Sequence, residues 1–200
     1  SFSGEGTGME LTSRESWAVI HGLILGTIFL LAFSGGLAEL WSLRPGWESL
    51  QGVRRRYRRL YVGVTTMAVT AWLTVITGTW IVYPWYREPL AVQGEDTFAG
   101  CEGLSLPDPE TCSPRDFLLS NARGETEAWH TFGMEWKEHV AWAAPILATA
   151  AAFVVLYYGP RLISRPWLRA VVIIMFVAAF AAAAVAGVFG AFITKVAPIV

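Results

Sequence analysis

The chain has 200 residues, 54% of them hydrophobic and only 16% charged, and its mean hydropathy is +0.45. A soluble domain carries nearer a quarter charged residues, and here the apolar residues are clumped into blocks instead of spread at amphipathic spacing. That pattern argues for membrane spans over a soluble core. The formal net charge of −1 leaves no basic surplus for nucleic acid; the informative feature is how the charges are segregated along the chain.

The first sixteen residues hold three acids and one arginine, the reverse of the basic start of a cleavable signal. The first span is therefore expected to direct its own insertion. That span is predicted from about Trp17 to Glu39, the second from about Tyr61 to Tyr83, the third from about His139 to Tyr158 and the fourth from about Leu168 to Ile193. Each supplies roughly 20 or more mostly apolar residues, enough to cross a hydrocarbon core of about 30 Å. Trp17, Trp41, Tyr61, Tyr83, Trp85, Trp136, Tyr157, Tyr158 and Trp167 fall at or near the span ends, as an aromatic belt at headgroup depth would. The fold class expected is an all-α integral membrane protein: a single membrane domain, built as an up-and-down bundle of four transmembrane helices.

Arginine placement predicts the orientation. Nine of the fifteen basic residues lie in the connections after spans one and three: Arg44, Arg54, Arg55, Arg56, Arg58, Arg59, Arg161, Arg165 and Arg169. The positive-inside rule makes that side cytoplasmic. The expected location is the inner membrane of a bacterium, with both termini and the long connection from about Pro84 to Glu138 on the periplasmic side. Arginine-rich connections also suit anionic lipid.

That long loop holds eleven of the sixteen acids. It also holds Cys101 and Cys112 in CEGLSLPDPETC. Two cysteines on an oxidising face, with no CxxC spacing or adjacent histidine to complete a metal set, read as one structural disulfide.

The three histidines are the sharpest functional clue. His21 lies four residues after Trp17 and His139 three residues after Trp136. Both spans run the same way, so the two imidazoles are expected at similar depth near the outer face. Spans one and three are diagonal partners in such a bundle, and histidines placed so suit axial coordination of a haem iron. Thr74, Thr77 and Gly78 on span two and Ala184, Gly187 and Gly190 on span four are small enough to admit a macrocycle. Of these, Thr74, Thr77, Gly78 and Gly187 are the candidate cofactor-lining positions. Equally open is the reading in which each histidine only hydrogen-bonds a neighbouring helix, or in which another metal or ligand is held. His130 reads as a loop histidine, or as a reserve ligand.

Further residues fit around that plan. Glu135, four before His139, is placed to orient its imidazole. The Tyr83-Pro84-Trp85-Tyr86-Arg87 cluster anchors the end of span two and offers a quinol pocket beside a haem edge. Gly63, Thr66, Thr70, Thr74 and Thr77 form a stripe at helical spacing that should face the interior, and Met67 and Met175 read as core packing. No HExxH, CxxCH, phosphate loop or GxSxG is present, so the chemistries those motifs support find little here.

Four spans with histidines on the first and third are similar in plan to membrane b-type cytochromes, a resemblance confined to topology and two residues. The chain departs from the two-haem version of that plan, because it has no histidine pair on the inner side. The function expected is that of a membrane electron-transfer subunit with one haem b near the periplasmic face. It would work with quinol or a periplasmic cytochrome inside a larger respiratory or photosynthetic complex. Its partners would be other membrane subunits, lipids and a basic cytochrome steered by the acidic loop. The alternative is a cofactor-free scaffold subunit.

Overall fold

In lipid every backbone polar group must find its partner inside the chain, and a helix does this within one segment. The structure, a computed structural model, describes residues 13–43, 50–87, 113–120 and 125–195. Among the described residues there is no strand, and four helices are long and apolar enough to cross a membrane. They are span 1 (Ser16–Ser42), span 2 (Gly52–Arg87), span 3 (Trp129–Ser164) and span 4 (Pro166–Ile193).

Spans 2 and 3 are 36 residues each, longer than the apolar blocks that foretold them. At about 1.5 Å per residue each runs to about 54 Å, well past the hydrocarbon. Hydropathy falls at Arg54–Arg59 and at Glu135–Glu138 while the helix continues, so the polar turns are helical extensions and not loops.

The main contacts run from span 1 to span 2, from 2 to 3, from 3 to 4 and from 4 back to 1. Each successive pair is antiparallel, as links at opposite ends show. Arg59 pairs with Glu39 at one end of spans 1 and 2, and His21 meets Thr77 at the other. Tyr57 donates to the carbonyl of Val155, 3.0 Å away, at the same end as Arg59; Tyr86 meets His130 at the end of His21. The end with the arginines is called the arginine end below, and the opposite one, which carries the long connection, the loop end. Span 3 ends in a stretch of 3-10 helix, Gly159–Ser164, with Gly159 at φ +54°, and Arg165 alone separates it from span 4. A positive φ suits glycine best, since it has no Cβ to clash. Pro166 then opens span 4 at a position where a missing N–H is not needed.

Apolar packing is concentrated toward the arginine end. Leu40, Leu60, Met67, Val155, Val172 and Phe176 are fully buried there. Spans 1 and 2 approach backbone to backbone: a Cβ on Gly63 would lie 3.1 Å from the Cα of Gly36, and one on Gly36 would lie 2.8 Å from the Phe176 ring. Close approach through small residues is how helices associate in lipid. The outward faces carry large apolar chains such as Leu31, Ile146, Phe153 and Ile174, the inversion expected of a surface that meets acyl chains. Met67 is core, and Met175 packs against it.

The loop end is built differently. Spans 1, 2 and 3 each contain one π turn there: Ile20–Ile24, Gly78–Val82 and Trp129–Gly133. The amide of Tyr83 reaches the carbonyl of Gly78, five residues back, at 2.8 Å. A π turn inserts one residue into the helical register and occurs often at functional sites. The short helix Pro114–Ser120 packs against the ends of spans 2 and 3 at this level. It is capped by Ser113, whose hydroxyl accepts from the Asp116 amide at 3.2 Å. Cys101 and Cys112 lie outside the described residues.

Candidate functional site

His21 sits inside the π turn of span 1. Its Nδ1 is 3.0 Å from the Thr77 hydroxyl on span 2. That hydroxyl has one proton and directs it to the carbonyl of Leu73, 2.7 Å away. With its proton on that carbonyl it accepts from the imidazole, and this hydrogen-bond pattern assigns the His21 proton to Nδ1 and the lone pair to Nε2. The ring rests on Gly78, where a Cβ would lie 2.8 Å from His21 Cε1. A side chain at that position would have to push the ring aside.

Span 3 brings a charge into the neighbourhood of His21. Lys137 is within electrostatic reach of the imidazole, and its stem lies against span 4, Cε being 3.5 Å from a Cβ built on Gly190. The adjacent Glu138 turns about 100° further round the helix, toward the end of span 2, where it interacts with Tyr83 and Tyr86. Its Oε1 is buried with no hydrogen-bond partner among the described residues. Ionisable groups at this depth in a span are costly and mark function by default.

A second layer lies nearer the loop. Arg87 donates to the Tyr83 hydroxyl at 2.6 Å. His130, in the π turn of span 3 and 1% exposed, has Nδ1 2.8 Å from the Tyr86 hydroxyl. Trp129 stacks on Phe192 of span 4, centroids 4.8 Å apart. These contacts hold the loop end of span 3 between spans 2 and 4.

The predicted site residues fall as follows. Thr74 and Thr77 line span 2 beside His21, and Thr70, Thr74 and Thr77 all bond back to carbonyls one turn earlier, which satisfies their hydroxyls within their own helix. Gly78 is the seat of the His21 ring. Gly187 meets nothing within 4 Å. His139 is exposed, on the face of span 3 that also presents Ile146 and Phe153. Its Nδ1 lies 2.7 Å from the backbone carbonyl of Glu135. The backbone of Glu135, and not its carboxylate, thus orients the ring, and Nε2 of His139 is also left with its lone pair. Span 3 carries Lys137 within electrostatic reach of His21, while His139 is exposed and bonded to its own helix; the structure does not bring the two histidines together. Among the described residues no group of three or more His, Cys, Asp or Glu side chains could hold a metal ion.

Sequence reasoning singled out neither Lys137 nor Glu138, and it took His130 for a loop histidine. The small-residue face of span 3 carried the signal for the lysine. Ala144, Ala148 and Ala151 are buried, and stepping back seven residues from Ala144, or eleven from Ala148, reaches Lys137. No such signal existed for His130, whose position depends on a π turn.

Compared with protein-family models, with curated proteins and with solved structures, the chain finds no match.

Proposed function

We propose that this chain is a membrane electron-transfer subunit that handles quinol at its loop end, within a larger complex, the loop end facing the periplasm. The observation that carries the reading is that Lys137 lies within electrostatic reach of His21, while the adjacent Glu138, also in span 3, lies by Tyr83 and Tyr86 at the same end of the bundle. A quinol gives up two protons with two electrons. His21 Nε2, with its lone pair, and the Glu138 carboxylate are the two proton acceptors the site offers, and the Lys137 ammonium stabilises negative charge developing on a quinol oxygen. Tyr83, Tyr86 and Arg87 border the way out toward the loop.

The electron acceptor in this reading would be a b-type haem, a one-electron carrier, so the two electrons would leave one at a time with a periplasmic cytochrome reoxidising it between them. His139 would be the residue to hold it, because its Nδ1 is fixed on a carbonyl and its Nε2 is open. Since the ring points out of the bundle, the haem would be shared with a neighbouring subunit and not enclosed between His21 and His139. The test is to add a reduced short-chain quinol to the purified complex and follow haem reduction. Replacing His21 by Gln should slow that reduction by about a hundredfold or more and leave haem content unchanged. An unaltered rate would refute the role given to His21.

The second reading is a cofactor-free accessory subunit. It is favoured by the placement of the small residues: Gly78 is filled by the imidazole and Gly187 opens outward, so the two frame no common space for a macrocycle. A stable complex with no haem band would select it.

A further inference from the structure

At the arginine end, an open groove of about 220 Å³ lies between the last turn of span 1 and the first turns of span 4, lined by Trp41, Pro166, Arg169, Ala170 and Ile173. Four of these five are apolar, and the fifth is a guanidinium. Other arginines at this end have intramolecular neighbours: Arg59 pairs with Glu39, and Arg165 lies over the Tyr158 ring, 5.1 Å from its centroid. Arg169 makes no ion pair among the described residues, and its Nη1 is buried with no hydrogen-bond partner among them. A guanidinium nitrogen taken out of water without an acceptor is costly. An anionic oxygen entering the groove would meet the guanidinium that lines it, and rotation of that group toward the oxygen would remove that cost.

We propose that this groove binds an anionic phospholipid, its phosphate on Arg169 and its glycerol and first acyl carbons along Trp41, Ala170 and Ile173. Three properties of the groove fit that occupant. A planar guanidinium takes two phosphate oxygens at once. The apolar lining continues from the headgroup level into the hydrocarbon along Ala170 and Ile173, one turn and less apart on span 4. The neighbouring exposed arginines, Arg54, Arg55, Arg58 and Arg161, raise the local concentration of anionic lipid at that surface. A free phosphate would use the guanidinium and leave the apolar lining unused.

The test uses the full chain purified in neutral detergent, mixed with phosphatidylglycerol or phosphatidylcholine, with bound lipid counted by native mass spectrometry. The wild type should retain phosphatidylglycerol about tenfold better than phosphatidylcholine, as one charge-assisted contact predicts. Arg169→Gln should remove most of that preference, while Arg161→Gln, at an exposed arginine of the same end, should keep it. Ile173→Trp fills the groove without touching the charge and should also lower retention, so the test survives if Arg169→Gln does not fold. Equal losses in Arg169→Gln and Arg161→Gln would assign the effect to diffuse surface charge and overturn the proposal. So would displacement of the lipid from wild type by an equal concentration of inorganic phosphate, or retention by Ile173→Trp at the wild-type level.

Discussion

The imidazole of His21 donates from Nδ1 to the hydroxyl of Thr77 across the interface of spans 1 and 2, at 3.0 Å. Because Thr77 spends its own proton on Leu73, this one bond fixes both the tautomer and the aim of the ring. Replacing Thr77 by Val removes the acceptor while keeping the shape. The variant should lose about 1 kcal/mol of stability, read as a lower midpoint of thermal unfolding in detergent, and should slow reduction by quinol.

Gly78 and Gly187 should respond oppositely to the same change. A Cβ at Gly78 would press on His21 Cε1 at 2.8 Å, whereas one at Gly187 meets open space. Gly78→Ala is expected to lower the unfolding midpoint and shift the imidazole. Gly187→Ala should be neutral or raise the midpoint, since alanine favours a helix over glycine by about 1 kcal/mol. Thermal scans of the two variants side by side decide this.

Lys137→Met keeps the length of the stem against Gly190 and removes the charge. A buried cation replaced by an apolar chain of similar volume is often neutral or stabilising. The expected result is an unchanged or higher unfolding midpoint together with a large fall in quinol-driven reduction. Loss of both together would mean that Lys137 is structural.

Much of the fold was legible because lipid imposes a simple rule. About 20 apolar residues and short, arginine-bearing connections leave little freedom in placing helices, and all four predicted spans lie within the observed ones. The ends were less legible. Trp129–Glu138 is helical although its charges dilute the hydropathy, so span 3 begins ten residues before the predicted start. The site was only half legible, for a related reason. His21, Thr77 and Gly78 came together as residues of matching depth, but depth is not direction. His139 shares the depth of His21 and faces the other way, a distinction that needs helical phase. A π turn shifts that phase by one residue, and nothing in the composition of Trp129–Gly133 announces it.

Orientation and the cysteine pair can be checked in one labelling experiment on intact cells. Cysteine introduced at Ser164, at the arginine end, should be protected from an impermeant thiol reagent. Cysteine introduced at the exposed Glu127, at the loop end, should react. Cys101 and Cys112 of the wild-type chain should react only after reduction, if they form the disulfide expected from their spacing. Labelling at Ser164 from outside would reverse the orientation.

The most direct test of the redox reading is the optical spectrum of the purified complex, oxidised and then reduced with quinol, for the wild type and for His21→Gln and His139→Ala. The account predicts a b-type Soret band that develops on quinol addition, is lost in His139→Ala, and persists but reduces slowly in His21→Gln. A complex that purifies intact without any haem band, or whose band is untouched by His139→Ala, would contradict it.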